Sequence, residues 1–365
     1  MSPRVLQVLG RSAGGIARHV SQIVGALDGR GELAVDVACP PDLPIPMPKP
    51  ALELNIPDGL GGHLGAIRRL RSIVSGGGYD VVHAHGLRAG VDSALAVRSR
   101  AGVVTTVHNL VRPEIAGQRA RLDRLAEPLV VRLSHSTLAV SEEIARRLRE
   151  AAGARADRVE VLYLGIGAAP EVRADRSDVR ARLGVPEGHR LAVAVARLAP
   201  QKALDVLFEA IALVELPVTL IVLGEGPLEA DLRALVRTRG WDERIRFEGF
   251  SDDVADVVAA ADVFCLSSIW EGVPLAAQEA ILLGTPVVST DVGGMSELIS
   301  DRRSGRLVPR GDVAGLAAAI AEVCGSEDVR RGYVQRARSD LQERFSTSKM
   351  LDRLAALYRE VAGAR

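Results

Sequence analysis

The stretch ADVFCLSSIWEGVPLAAQEAILLGTPVVST, residues 261–290, alternates between two kinds of local structure. Its first eight and last six residues are short apolar runs of the kind that form buried strands. Between them, Pro274 fits the first turn of a helix that runs through LAAQEAILL and ends at Gly284. Two strands joined by one helix lie parallel in a sheet, so this stretch predicts an α/β fold.

The same alternation extends along the chain in two series, which Gly, Ala and Pro separate near residues 164–175. Two doubly wound parallel sheets in tandem explain this pattern better than one large sheet. The proline-rich residues 40–50 predict a surface loop. The predicted strands are 4–10, 80–85, 102–108 and 136–141 in the first series, and 190–197, 217–224, 244–250, 261–268 and 285–290 in the second.

Length and composition narrow the class of protein. The 365 residues exceed the ~250–300 at which a single core stops growing, which favours two domains. Lys and Arg together number 46, as do Asp and Glu, so no charge excess points to a nucleic-acid partner. Cys39, Cys265 and Cys324 lack metal or redox spacing, which predicts reduced core thiols in a cytoplasmic protein. Because no apolar run is long enough to span a bilayer, we expect a soluble protein that at most rests on a membrane.

Two glutamates flank the start of the predicted helix after the strand 261–268. Glu271 precedes the free amides of Val273, Leu275 and Ala276, and Glu279 lies about one and a half turns inside the helix. Two carboxylate acceptors beside a row of donors can bind two vicinal diols, such as those of a hexose and a ribose. Glu271 could instead stabilise the helix dipole and Glu279 could be a surface residue. However, Glu279 interrupts an otherwise apolar helix, and a buried carboxylate needs a partner.

Arg197 ends a predicted strand and Lys202 follows in the next loop. At the carboxyl end of a strand, a guanidinium and an ammonium can together hold a pyrophosphate, although a solvated loop also tolerates both. The later run LGEGPLEADL has Gly224 and Gly226, but Glu229 stands where a dinucleotide fingerprint has its third glycine. It predicts a tight turn with close backbone approach and argues against a nicotinamide enzyme.

In the first half, Gly14 and Gly15 lie between a strand and a helix, where adjacent glycines let phosphate approach backbone amides. His85 and His108 each sit at the end of a predicted strand. They lack a third ligand and metal-site spacing, so hydrogen bonding to a sugar is the favoured interpretation. For His85 a structural role is also open.

These motifs, in this order, resemble those of the retaining glycosyltransferases of family 4. The resemblance implies the GT-B fold, an α/β architecture of two facing Rossmann-like doubly wound domains with a central cleft. It implies an acceptor-binding domain over 1–167, a nucleotide-sugar domain over 168–345, and a final helix, 346–365, that crosses back to the first domain. The segments that carry it are GGIARHV, VHN, VSEEIARRL, ARLAPQKALDVLFEAI, LGEGPLEADL, RIRFEGF and the stretch from Ala261 to Ile299.

The resemblance also implies a role for each candidate residue. Glu271 would contact the donor sugar, Glu279 the ribose, and His108 the sugar's hydroxymethyl group near the reaction centre. Arg197 and Lys202 would hold the diphosphate as it leaves. The remaining donor-binding candidates are Gly14 and Gly15 near the phosphates, Gly272, Val273, Pro274, Leu275 and Ala276 at the sugar and distal phosphate, and Gly249 and Phe250 at the base.

The implied activity is transfer of a hexosyl group from a UDP- or GDP-sugar to a hydroxyl acceptor on a glycan, glycolipid or small molecule. The alternatives are a glycoside hydrolase that uses Glu271 and Glu279, and a catalytically silent binding protein of the same fold. No cofactor and no divalent metal are expected, because the chain contains no Asp-x-Asp motif and the acids of SDDVAD are expected to cap a helix. The basic stretch 112–132, with Arg119, Arg121 and Arg124, raises the hypothesis of contact with anionic membrane.

Overall fold

The computed structural model describes residues 2–11, 15–43, 45–57, 61–98, 100–109 and 118–364, and for 118–123 it describes the backbone alone. The chain forms two compact units. The first combines Met1–Gly165 with Phe345–Arg365, and the second is Ile166–Arg344.

The first unit is a parallel sheet of seven strands in the order β3-β2-β1-β4-β5-β6-β7, with helices in the connections. The last helix, α14, packs against α1 and against strands β4 and β5. The strands are β1 (Arg4–Leu9), β2 (Ala34–Cys39), β3 (Leu52–Glu53), β4 (Val81–His85), β5 (Gly102–Val107), β6 (Ser136–Ala139) and β7 (Val159–Val161). The helices are α1 (Gly15–Gly29), α2 (His63–Gly77), α3 (Leu87–Val97), α4 (Gln118–Leu133), α5 (Glu142–Ala152), a 3-10 turn (Gly153–Arg158) and α14 (Thr347–Gly363).

The second unit is a parallel sheet of six strands in the order β10-β9-β8-β11-β12-β13. The strands are β8 (Arg190–Val195), β9 (Val218–Leu223), β10 (Ile245–Gly249), β11 (Val263–Leu266), β12 (Val287–Thr290) and β13 (Arg306–Val308). The helices are α6 (Arg176–Arg182), α7 (Leu204–Leu213), α8 (Glu229–Arg239), α9 (Val254–Ala260), α10 (Leu275–Leu283), α11 (Met295–Leu298), α12 (Val313–Gly325) and α13 (Glu327–Arg344), with a 3-10 turn at Pro200–Lys202.

All nine predicted strands are present, and the prediction of two doubly wound parallel sheets is confirmed. The sequence interpretation missed four strands. Three of them, β3, β7 and β13, are two or three residues long and lie at sheet edges, so they have no long apolar run. The fourth, β2, is interrupted by Asp36, whose carboxylate accepts a hydrogen bond from the Tyr79 hydroxyl at 2.9 Å.

Two helix starts differ from their predictions. Helix α10 begins at Leu275, and Pro274 is its N-cap residue in extended backbone rather than a first-turn residue. Asp253 is the N-cap residue of α9 as expected, but its carboxylate pairs with Arg182 and makes no cap hydrogen bond. The end of α10 at Gly284 is confirmed, since Gly284 adopts φ +92° there.

Three further predictions can be compared with the structure. The three cysteines are buried and unpaired, as expected of core thiols. The proline-rich residues 40–50 contain no helix or strand among those the structure describes. Over the same described part of the chain, no helix combines the length and the apolar character that crossing a membrane requires.

Candidate functional site

The second unit gathers its candidate residues at one edge of its sheet. Strands β8 and β11 are neighbours, and the chain leaves them toward opposite sides of the sheet order. In doubly wound sheets, ligands bind beyond the carboxyl ends of the strands at such a switch point. Arg197 and Lys202 follow β8, and Glu271 follows β11, so the topology brings the predicted cations and the first predicted carboxylate to this edge.

Lys202 and Glu271 form an ion pair. The Lys202 Nζ lies 2.5 Å from the Glu271 Oε1, and the two side chains are 16% and 8% exposed. The Ser268 hydroxyl donates to the same Oε1 at 2.6 Å. The carboxylate is therefore held by two donors and has a fixed position at the strand ends.

Side-chain and backbone hydrogen bonds tie the loop after β8 to the loop after β11. The Ser267 hydroxyl is 2.9 Å from both the Lys202 and the Ala203 carbonyl oxygens. The Gln201 amide donates to the Trp270 carbonyl at 2.9 Å. Ala203 adopts φ +42°, a left-handed conformation that costs a non-glycine residue about 1–2 kcal/mol. These contacts hold Lys202 in place at the expense of local strain.

Arg197 differs from Lys202 in that its side chain is exposed. Among the residues that the structure describes, no acidic side chain pairs with it. The adjacent Leu198 amide donates to the Glu225 carbonyl at 3.0 Å, which joins the Arg197 loop to the loop after β9. Arg197 therefore provides a positive charge at the strand ends to which an anion can bind.

The two glycines after β9 explain how closely these loops approach. A Cβ at Gly224 would lie 2.1 Å from the Ala196 carbonyl oxygen, and one at Gly226 would lie 2.4 Å from that of Leu198. Gly224 also adopts φ +122°, which favours glycine. The prediction of a tight turn with close backbone approach is confirmed.

The start of α10 forms the donor-rich side of the site. Gly272 and Val273 are buried, and Pro274, Leu275 and Ala276 are half-buried. No side chain in the described part of the chain caps the helix. The first amides of a helix have no partner within it, so those of Leu275 and Ala276 remain suited to an anion. A Cβ at Gly293 would lie 1.8 Å from the Glu271 carbonyl oxygen, so the loop after β12 supports this turn from behind.

Three candidates lie apart from the ion pair along the chain. Glu279, the fifth residue of α10, is half-buried. Gly249 ends β10 with φ +69°, and its carbonyl accepts from the Gly224 amide at 2.7 Å. The Phe250 side chain is 76% exposed, which leaves an aromatic face open beside that turn.

The first unit places both predicted histidines in a buried group. His108 follows β5 and His85 ends β4, with their rings stacked at 5.3 Å and the His85 Nδ1 3.1 Å from the His108 Nε2. Burial, followed by repulsion from neighbouring histidines, lowers the pKa of both well below the usual range. Both imidazoles are therefore neutral. Gly15 begins α1, whereas Gly14 lies outside the described residues.

The sequence interpretation missed the partners of these histidines. His83 is two residues before His85 on the same strand face, a spacing that could have indicated a shared environment. The other partners, Gln7 and Tyr358, had no signal in the sequence, since one is in an apolar strand and the other in the last helix. His19 on α1 packs edge-on against His108, with ring centres 5.7 Å apart. Within the described residues, no three His, Cys, Asp or Glu side chains are grouped so as to hold a metal ion.

Comparisons with known proteins agree along most of the chain. The profile described as Glycosyltransferase Family 4 matches residues 13–169, and that described as Glycosyl transferases group 1 matches residues 189–326. The D-inositol 3-phosphate glycosyltransferase of Mycobacterium tuberculosis is 31% identical over 328 residues, which cover 85% of this chain and 68% of that protein. The N-acetyl-alpha-D-glucosaminyl L-malate synthase of Bacillus anthracis is 24% identical over 294 residues, 77% of this chain and 75% of that protein.

Solved structures share the fold. Anabaena HepE, in complex with UDP and glucose, has a TM-score of 0.82 at 23% identity, covering 98% of this chain and 100% of that one. Sucrose-phosphate synthase from Thermosynechococcus elongatus has a TM-score of 0.85 at 21% identity, covering 100% of both chains. The α/β units have the architecture of GT-B glycosyltransferases. The chain belongs to glycosyltransferase family 4 and is a glycosyltransferase.

Proposed function

We propose that this protein moves a hexosyl group from a UDP- or GDP-sugar to a hydroxyl acceptor and retains the anomeric configuration. The observation that carries the proposal is the meeting of Lys202 and Glu271, 2.5 Å apart, at the switch point of the second sheet. A cation for the diphosphate and a carboxylate for the sugar hydroxyls are needed next to each other in such a donor site. A glycoside hydrolase would leave Lys202 and Arg197 without a role.

In the proposed reaction, the bond between the sugar's anomeric carbon and the diphosphate breaks as the acceptor oxygen bonds to that carbon. Arg197, Lys202 and the amides of Leu275 and Ala276 stabilise the negative charge that develops on the diphosphate. The acceptor attacks on the face that the diphosphate leaves, and its proton passes to a phosphate oxygen. The products are a glycoside and a nucleoside diphosphate, with no covalent intermediate on the protein.

The ion pair between Lys202 and Glu271 has a consequence for donor binding. When a diphosphate binds to Lys202, the ammonium contacts two anions. Its attraction is then divided between the diphosphate and Glu271. Glu271 can then accept hydrogen bonds from the donor sugar, while the Ser268 hydroxyl keeps the carboxylate in position. Glu279 accepts from the ribose, and the base rests beside Gly249 and Phe250.

The relatives suggest which substrates to test. HepE is described with UDP and with UDP-glucose, which makes UDP-sugars the first donors. The names of the Mycobacterium tuberculosis and Bacillus anthracis enzymes each include a hydroxylated compound that carries an anionic group. These compounds are inositol 3-phosphate and L-malate. Small hydroxylated anions therefore belong in the acceptor screen together with glycolipids and glycans.

The test is a screen of UDP- and GDP-sugars for release of the free nucleotide, first without and then with acceptors. The expected result is slow hydrolysis of one donor that an acceptor accelerates, with the product's anomeric configuration equal to the donor's. The matched control is Lys202→Met, which keeps the length of the side chain and removes its charge. If no nucleotide sugar is bound by calorimetry or consumed, the proposal is wrong. An inverted product would overturn retention alone.

We also propose that the protein works in the cytoplasm against the inner face of the membrane. On α4, Leu125, Leu129 and Leu133 recur every four residues and are 66%, 43% and 42% exposed. Arg124 and Arg132 on the same helix are also exposed. An apolar row beside arginines suits an anionic bilayer. Of the basic stretch 112–132, residues 112–117 and the side chains of 118–123 lie outside the described part.

Co-sedimentation with lipid vesicles at low salt tests the membrane proposal. Recovery with vesicles rich in anionic lipid should exceed recovery with neutral vesicles. Leu129→Ser combined with Arg132→Ser should lower it, whereas Arg237→Ser, at an exposed position on α8, should leave it unchanged. Equal recovery with both kinds of vesicle would refute electrostatic docking.

A further inference from the structure

A continuous chain of hydrogen bonds runs through the first unit to His108. We call it the histidine chain. The His85 Nε2 is 2.8 Å from the Gln7 Oε1, and the Gln7 Nε2 donates to the Tyr358 hydroxyl at 3.0 Å. The Tyr358 hydroxyl is 2.6 Å from the His83 Nδ1, and the His83 Nε2 is 2.7 Å from the Thr106 Oγ1. Its members, in order, are Thr106, His83, Tyr358, Gln7, His85 and His108.

The orientation of the Gln7 amide sets the direction of the donors. Its Oε1 faces the His85 Nε2 and can only accept, so that nitrogen carries the proton. A neutral imidazole carries one proton, so the His85 Nδ1 is an acceptor and the His108 Nε2 donates to it. The His108 Nδ1 is then left with a lone pair.

The hydrogen bonds at the Thr106 end of the histidine chain agree with this direction of the donors. The Tyr358 hydroxyl accepts from Gln7 and donates its own proton to the His83 Nδ1, and His83 in turn donates to Thr106. Burial raises the pKa of Tyr358 and lowers that of His83 to about 3, which keeps both neutral. The reversed arrangement would leave a buried N–H without an acceptor on the His108 Nδ1, and most buried side-chain donors are hydrogen-bonded.

The His108 end of the histidine chain indicates a ligand. The His108 Nδ1 is buried and has no hydrogen-bond partner among the residues that the structure describes. His108 is 4% exposed and lies at the carboxyl end of β5, where doubly wound sheets bind ligands. A lone pair there accepts from an O–H donor, such as a hydroxyl of a sugar.

We propose that Tyr358 and Gln7 are positioning residues that hold His108 in the Nε2–H form, so that its Nδ1 accepts a hydrogen bond from a substrate hydroxyl. The step from Nδ1 to a substrate rests on the proposed function. The tautomer itself follows from hydrogen bonds within the first unit and is tested without any substrate. Helix α14 thereby controls the tautomer of His108, a side chain more than two hundred residues away in sequence.

The experiment uses the full chain with isotope-labelled histidine, whose ring-nitrogen chemical shifts report which nitrogen carries the proton. In the wild type, His108, assigned from the loss of its signals in His108→Ala, should show a protonated Nε2 and a bare Nδ1. Tyr358→Phe keeps the buried ring but frees the Gln7 amide to rotate, so His108 should become a mixture of both forms. Tyr333→Phe, the same change in the second unit, should leave the His108 signals unchanged.

Turnover provides a second measurement. With saturating donor, Tyr358→Phe should lower kcat about twofold, since about half of the His108 side chains would then present a donor instead of an acceptor. A protonated His108 Nδ1 in the wild type, or an unchanged tautomer in Tyr358→Phe, would overturn the inference. If the expected tautomers are found but no nucleotide sugar is consumed by the wild type, the proposed function fails and the positioning role stands.

Discussion

The Lys202 ammonium and the Glu271 carboxylate, which follow two neighbouring strands, neutralise each other across 2.5 Å. Each is the other's charge partner, and both side chains are largely buried. We therefore expect the stability of the second unit and, under the proposed function, its binding of a donor to depend on the same two side chains.

Removing one member of this pair should cost more than removing both. Lys202→Met leaves a largely buried carboxylate without its cation, for which about 3 kcal/mol of lost unfolding free energy is expected. The double variant with Glu271→Gln should recover much of that loss, because no charge remains unpaired. Urea unfolding of the two single variants and the double variant measures the coupling. Additive losses would show that the pair does not stabilise the fold.

Arg197→Ala should lower turnover rather than stability. Its guanidinium is exposed and has no acidic partner in the described part of the chain, so its removal breaks no ion pair of the fold. A lost charge-assisted hydrogen bond of roughly 1.5–3 kcal/mol to the departing diphosphate would reduce kcat about ten- to a hundredfold. Arg237→Ala on α8 is the matched surface control. Wild-type kcat in Arg197→Ala with saturating donor would disprove the leaving-group role.

Glu279→Ala should weaken nucleotide binding because it removes an acceptor for the ribose hydroxyls. The same range of roughly 1.5–3 kcal/mol corresponds to an affinity about ten- to a hundredfold lower. Isothermal calorimetry with the free nucleoside diphosphate measures this directly. Glu209→Ala, at an exposed position on α7, should have no effect. The ribose assignment does not survive if a folded Glu279→Ala binds the nucleotide as the wild type does.

Turnover should need no divalent metal. Arg197, Lys202 and the amides at the start of α10 together are expected to offset the charge of the diphosphate. Rates with saturating donor should agree, within about twofold, between excess chelator and millimolar Mg²⁺ or Mn²⁺. If chelator abolishes activity and metal restores it, these groups do not offset the charge of the diphosphate by themselves, and the prediction is wrong.

The first unit should lose stability in mild acid. Burial lowers the pKa of His19 to about 4, so this side chain is neutral when folded and takes up a proton on unfolding below its ordinary value of 6.5. Its contribution is complete above pH 6.5 and is lost as the pH falls toward 4, at about 1.4 kcal/mol per pH unit. His19→Leu should reduce the slope of unfolding free energy between pH 6 and 5 by about that amount. An identical slope in the variant would show that His19 is protonated in the folded protein.

The strands could be predicted because short apolar runs are a local signal. The candidate site at their carboxyl ends could be predicted because a general rule for parallel sheets places ligands there. Arg197, Lys202 and Glu271 were found by their positions after strands. Their pairing was not predicted, because a strand-end position says nothing about which side chains meet. The edge strand Leu52–Glu53 is too short to carry a pattern at all.

The histidine chain could be predicted from the sequence only in part. His85 and His108 were identified from strand ends, but Gln7 and Tyr358 are separated by 351 positions in sequence and meet only in the folded unit. Tyr358 also falls on the apolar face of an ordinary amphipathic helix, where an aromatic residue signals only a core position. Its hydroxyl acquires a role through tertiary contact alone.

The return of the last helix to the first unit has a consequence for biosynthesis. The core around α1 and β1 includes Met350, Leu351, Leu354, Tyr358 and Val361, and these residues are translated after the whole second unit. A ribosome therefore completes the whole second unit while the first still lacks part of its core. For this chain, the usual order in which amino-terminal domains mature first is reversed, because the core of the amino-terminal unit is complete only after α14 has been translated. Nascent chains should thus depend on chaperones to shield the groove that α14 later fills.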